Sequence, residues 1–126
     1  MEIGKIKFKA KKTLDGKWIK GDLVHHKDSD NVWITDYENQ LKSPVNSSTV
    51  CQFTGENDMN GNEIYIGDII SNLETGSIIE VTWNERLKRL DCKFLNADKG
   101  LEVPFGIFVS RCKRIVVVGN KFDKEK

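Results

Sequence analysis

His25 and His26 form the one histidine pair in the chain, with Asp22 before them and Asp28 and Asp30 after. These are metal-ligating residue types. Neighbouring residues on a strand point to opposite faces, so two adjacent rings do not readily reach one ion. The pair reads as solvated strand-end side chains, with a weak site of one His and an Asp as the lesser alternative. The three cysteines carry a second kind of chemistry. Cys112 stands between Arg111 and Lys113, a basic setting in which a more reactive thiol is expected. With no evident base or orienting third group, it makes a poor nucleophile. Cys92 alternates with Leu90 and Phe94 and fills core volume, and Cys51 is expected to do the same in its own strand.

The acids group in two ways. Asp58, Asn60 and Glu63 invite comparison with a calcium loop, but NDMNGNEIY lacks the twelve-residue spacing and flanking helices of that motif. A hairpin turn through Asn60-Gly61 is the better reading. Asp22 and Asp68 both occur as Gly-Asp before an apolar pair, in Gly21-Asp22-Leu23-Val24 and Gly67-Asp68-Ile69-Ile70. General acid–base work needs two different environments. The shared context instead suggests one structural job, a bend or bulge in which Gly accepts positive φ and Asp accepts backbone N–H bonds. The echo extends from Trp18 to Val24 and from Ile64 to Ile70, short enough to leave a duplication open.

Cations cluster at Arg86, Lys88 and Arg89 beside Trp83, and again at Arg111, Lys113 and Arg114. Small β-barrels bind single strands through basic grooves with stacking aromatics. Trp83 is in phase with Ile79 and Val81, however, which predicts burial. The near-zero net charge also lacks a strongly basic footprint. The chain contains no G-x-x-x-x-G-K-[ST], G-x-G-x-x-G, H-E-x-x-H or G-x-S-x-G motif. Phosphate-loop NTPases, Rossmann enzymes, zincins and α/β-hydrolases are thereby excluded.

The elements that position these residues repeat with period two. Ile6, Phe8 and Ala10 alternate with lysines, predicting a strand with one wet face whose lysines blunt an exposed edge. Asp15-Gly16 turns into the strand from Trp18 to Val24. Val32 to Ile34 is a short strand, and residues 35–48, with Pro44 near the end, are expected to be a long loop. Val50 to Thr54 and Glu63 to Ile70 flank the Asn60-Gly61 turn. Ile79, Val81 and Trp83 alternate, as do Leu90, Cys92 and Phe94, and Asn84 to Asp91 is expected to be a hairpin link rather than a short helix. Leu101 to Val109 alternates five times and predicts another strand. Ile115 to Val118 is a continuous apolar run, expected to be the most buried strand, with a frayed tail over 121–126. Short strands with regular turn signals indicate a mainly β fold with little or no helix, suited to a small barrel.

At 126 residues the chain fits one domain. No apolar run approaches the ~20 residues of a membrane span, and the basic N-terminus lacks an apolar signal core. Three widely spaced cysteines are not a disulfide framework, so a reducing cytoplasmic setting is expected. The net charge of +1 hides an asymmetry. Residues 1–20 carry seven Lys against Glu2 and Asp15; residues 21–80 carry Lys27 and Lys42 against eleven acids; residues 81–126 carry eleven basic against six acidic side chains. Such blocks attract one another within a fold or between subunits.

The chain resembles the YopX-like proteins, encoded mainly by bacteriophages and prophages. The resemblance lies in Ile6 to Ala10 with Trp18 to Val24; in Thr49-Val50, Gln52 to Gly55, Asp58, Asn60-Gly61, Glu63-Ile64-Tyr65 and Gly67-Asp68-Ile69; and in Val118-Gly119-Asn120. Cys51 stands where that pattern usually has Gly, and Ile66 where an acid is common. The resemblance implies a single domain over 1–126. An N-terminal β segment and loop (1–45) would precede a small, partly open, SH3-like barrel built from hairpins (46–126). It also implies self-assembly into homo-oligomers, no established enzymatic activity and no catalytic residue to carry over. The expectation is a non-enzymatic, phage- or prophage-encoded accessory protein of the bacterial cytoplasm, with itself as partner and no cofactor, metal or membrane. The alternative is a nucleic-acid-binding module using the two basic clusters.

Overall fold

The computed structural model describes residues 3–27, 30–96 and 101–123. Strand accounts for 52% and helix for 11%, in two antiparallel sheets. The chain divides into two compact units, one ending at Gly55 and the other starting at Glu56.

In the first unit, β1 (Phe8–Lys11) and β2 (Trp18–His25) form the expected hairpin, with Gly16 in the turn at φ 72. β3 (Val32–Asp36) pairs with β2, and β4 (Lys42–Val45) pairs with β3. β5 (Cys51–Asn57) pairs with the other side of β1, giving the order β4-β3-β2-β1-β5. Residues 35–48 are therefore not a loop. They hold the end of β3, a tight turn, β4 and the start of a 3-10 turn over Ser47–Thr49. Pro44 is tolerated because β4 is an outer strand, where no ladder N–H is required. The sheet curls until β4 meets the far end of β1: Lys12 bridges Val45, and the Thr13 amide donates to the Pro44 carbonyl at 3.1 Å. That is a small, partly open β architecture. Its core is Ala10, Ile19, Ile34 and Val45. The lysine face of β1 is not simply wet, because Lys9 is only 9% exposed.

In the second unit, β6 (Glu63–Tyr65) is followed by β7 (Asp68–Asn72), β8 (Ile78–Asn84), β9 (Arg89–Phe94), β10 (Glu102–Pro104), α1 (Phe105–Arg111) and β11 (Ile115–Asn120). The sheet order is β10-β9-β8-β7-β11. The β8–β9 connection is a hairpin, with Trp83 opposite Leu90 and Asn84 opposite Arg89. The run from Leu101 to Val109 is corrected: it is a three-residue strand and then a helix. Pro104 at the helix entry has no N–H to lose, and Phe105 and Phe108, three apart, bury on one side of α1. Alternation counted from apolar residues alone misread a helix whose Ile107 faces out.

The run Ile115 to Val118 is also corrected. β11 is an outer strand of the sheet, with an irregularity between Val117 and Gly119 and Val118 58% exposed. The most buried strands are β7 and β8, whose Ile70, Ile79 and Val81 join Ile64, Cys92, Phe105, Phe108 and Ile115 in the core. Of the expected frayed tail, residues 121–123 form a turn bound to the end of β11, and 124–126 lie outside the described residues.

Candidate functional site

The turn from Asp58 to Asn62 shows why N-D-M-N-G-N folds as it does. Asp58 Oδ1 accepts the amide N–H of Asn60 at 2.9 Å and of Asn62 at 2.8 Å. Gly61 takes φ 83, a left-handed conformation that disfavours a side chain. The other oxygen, Oδ2, accepts the amide of Val117 at 2.9 Å and the Asn62 side-chain amide at 3.3 Å. Beside it, the Met59 amide donates to the Ile115 carbonyl at 3.0 Å. The turn thus covers the free edge of β11, a standard protection against edge-to-edge association. Asp58 is 6% exposed. Burial raises its pKa, but the N–H donors of Val117, Asn62 and Asn60 outweigh this and hold the carboxyl below its ordinary value.

Asp68 makes a second such junction. Fully buried at the start of β7, it accepts the Tyr65 amide at 2.8 Å and the Asn120 side-chain amide at 2.9 Å. Gly67 reaches φ 99 in the tight turn between β6 and β7. Its amide donates to the Val81 carbonyl, and its carbonyl accepts from Lys121. Asp123 Oδ2 accepts the Asn120 amide at 2.8 Å, closing the chain end onto the same point. Tyr65 is buried, and its hydroxyl donates to Glu63 at 2.8 Å.

The two Gly-Asp pairs do not share a job. Gly21 lies within β2, and a Cβ there would stand 1.8 Å from the Thr35 carbonyl oxygen, so glycine is required by close strand approach rather than by a bend. Asp22 is exposed and accepts the Tyr37 hydroxyl at 3.2 Å.

The other sequence candidates remain dispersed. His25 and His26 are exposed at the end of β2, with His26 edge-on to Trp33 at 4.9 Å, and Asp28 lies outside the described residues. Trp83 is not buried but 48% exposed, and its indole N–H donates to Glu85. Glu85 also holds Lys88, while Arg89 binds the buried carboxylate of Asp91 at 2.7 Å. Two of the three cations in that cluster are therefore ion-paired. Arg86, Arg111, Lys113 and Arg114 are exposed. Cys51 and Cys92 are buried, and burial, with Asp91 and Cys112 nearby, pushes the Cys92 thiol up to about 12. Among the described residues no three His, Cys, Asp or Glu side chains gather to hold a metal. No helix among them is long and apolar enough to cross a membrane.

A concave feature lies on the outer face of the second sheet. A recess of about 460 Å³ is lined by Ile69, Leu95 and Val118, with Glu80, Lys121 and Asp123 among its polar lining. Leu95 and Val118 are both exposed. No His, Cys, Ser or Thr lines it among the described residues, so what it offers is apolar contact and charge of both signs.

Sequence inspection missed the long-range partners of Asp58 and Asn120 and the shorter-range contacts made by Asp91 and Asp123. Only the Asx-turn pattern at Asp58 was there to be read; the strand each side chain reaches is set by topology.

Fold and site define a mainly β protein in which the marked acids join strands to one another. The chain belongs to the YopX protein family, whose family model matches residues 7–125, nearly the whole chain. A search of curated proteins finds no match.

Proposed function

We propose that this is a phage- or prophage-encoded accessory protein of the bacterial cytoplasm that has no enzymatic activity and acts as a self-assembled homo-oligomer. The observation that carries the reading is the outer face of the second sheet. Its apolar residues Ile69, Leu95 and Val118 surround a recess edged by Glu80 and Asp123 on one side of the charge balance and Lys121 on the other. An interface between two copies related by a two-fold axis must complement itself. A patch carrying an apolar centre and both charge signs meets that condition. Exposed apolar clusters rimmed by polar groups mark association surfaces. Family membership supports the phage setting and the self-assembly, and three cysteines that form no disulfide suit a reducing compartment. Light scattering at micromolar concentration tests the reading: an oligomer is expected at low salt, and a monomer under those conditions overturns it.

A second reading, a nucleic-acid module on Arg86–Arg89 and Arg111–Arg114, gains from the exposure of Trp83. It loses from the ion pairs that already engage Lys88 and Arg89.

A further inference from the structure

A different surface, in the first unit, carries more of the chemistry of nucleic-acid recognition than either basic cluster. Strand pairing places Lys11 opposite Trp18 and Lys9 opposite Lys20, so these four share one face of the sheet. The same face continues through Asp22 and Val24 on β2, paired with Thr35 and Trp33 on β3, to Lys42 and Pro44 on β4. The opposite face holds the core residues Ala10, Ile19, Ile34 and Val45. The result is a sheet face of interleaved lysines and aromatic rings, on which Asp22 is the one acid contributed by β1 to β4.

The rings and cations are already in register. Lys9 lies 4.8 Å and Lys11 5.7 Å from the centre of Trp18. Lys42 lies 5.0 Å from the centre of Trp33, and Lys7 5.8 Å from Tyr37. The β1–β5 side of the face is covered, since Lys9, Cys51 and Phe53 are buried. The accessible part is therefore β2 to β4, with Lys20 and Lys42 exposed, Tyr37 exposed just past β3, and Trp18 and Trp33 half-buried.

We propose that this face binds single-stranded nucleic acid, with bases stacking on Trp18, Trp33 and Tyr37 and phosphates held by Lys20 and Lys42. A ring that holds an ammonium through its π-face offers the same face to a base, and the displaced ammonium then turns to the phosphate. Trp33 lies on β3 and Tyr37 just past its end, so an extended single strand running along β3 can pass both. Paired bases in a duplex cannot splay onto these rings, which favours the single strand. The face belongs to the first unit, so it stands or falls apart from self-assembly through the second sheet.

The test is fluorescence anisotropy of a labelled oligodeoxythymidine of about 16 nucleotides with the full chain, run from about 50 to 200 mM salt. Binding is expected to weaken with salt. Trp33→Ala should lower affinity about tenfold with the salt slope unchanged. Lys42→Ala should lower the slope by about one. If Trp33→Ala does not fold, Trp33→Phe, expected to bind nearly as wild type, and Lys42→Glu, expected to bind at least tenfold more weakly, carry the test. No binding at the lowest salt overturns the proposal. So does equal binding of a duplex with Trp33→Ala indifferent, equal competition by polyglutamate, or loss confined to Arg111→Ala.

Discussion

Asp58 accepts the amide N–H of Val117 at 2.9 Å across 59 positions of sequence. The same carboxylate folds its own turn through Asn60 and Asn62. One side chain therefore makes a local turn and fixes the last strand of the sheet. That explains why acids around an Asn-Gly turn, which look like a site, are instead a joint.

Replacing this carboxylate should be costly. Asp58→Ala leaves the amides of Asn60, Asn62 and Val117 without their acceptor, and a loss of roughly 2–4 kcal/mol is expected. Asp58→Asn keeps one oxygen for the turn but turns an N–H₂ toward Val117, for about 1–3 kcal/mol. Urea unfolding of the three proteins checks the order. Near-equal midpoints for wild type and Asp58→Ala would contradict it.

Acid should act through the same group. Its folded pKa lies below the ordinary 3.8. The ionised form therefore contributes fully above that value, and the contribution is lost as pH falls from 3.8 through the folded pKa. Melting temperature should drop over that window, and Asp58→Asn should make the drop shallower. A parallel fall in both proteins would contradict the assignment.

Glycines 21 and 16 should behave differently. At Gly21 a Cβ would lie 1.8 Å from the Thr35 carbonyl oxygen, so Gly21→Ala must part β2 from β3 and cost on the order of 3 kcal/mol or more. At Gly16 nothing lies within 4 Å and only the φ of 72 opposes a side chain. Gly16→Ala should cost about 1 kcal/mol. Thermal melts of the two variants give the comparison.

Thiol chemistry should separate the cysteines. Cys92 is buried with its thiol pushed up to about 12, and Cys51 is buried with its thiol donating to the Thr49 carbonyl at 3.3 Å. Cys112 is half-buried. A coloured disulfide reagent at neutral pH should label one thiol per native chain, at Cys112, and all three after unfolding. Native labelling of Cys92 would contradict the packing.

The hairpins were legible in sequence because each depends on residues a few positions apart: Asp15-Gly16, Asn60-Gly61, and the link between Trp83 and Leu90. What failed depended on distance. Pro44 looked like a loop residue because nothing local says that β4 is an outer strand, and the apolar Ile115 to Val118 looked buried for the same reason. Leu101 to Val109 misled because its apolar spacing suits a strand, while Pro104 starts a helix inside it. Gly21-Asp22 and Gly67-Asp68 read alike, yet one glycine serves strand contact and the other a tight turn. The joints at Asp58 and Asp68 use partners more than fifty positions away, beyond any local pattern.

The central claim, assembly through the outer face of the second sheet, is tested most directly by light scattering of wild type and Val118→Asp at low salt. Val118 is exposed and outside the core, so the variant should keep its fold by circular dichroism. The account predicts an oligomeric wild type and a variant whose mass falls toward the 14.4 kDa chain. A monomeric wild type, or a variant with undiminished mass, would contradict it.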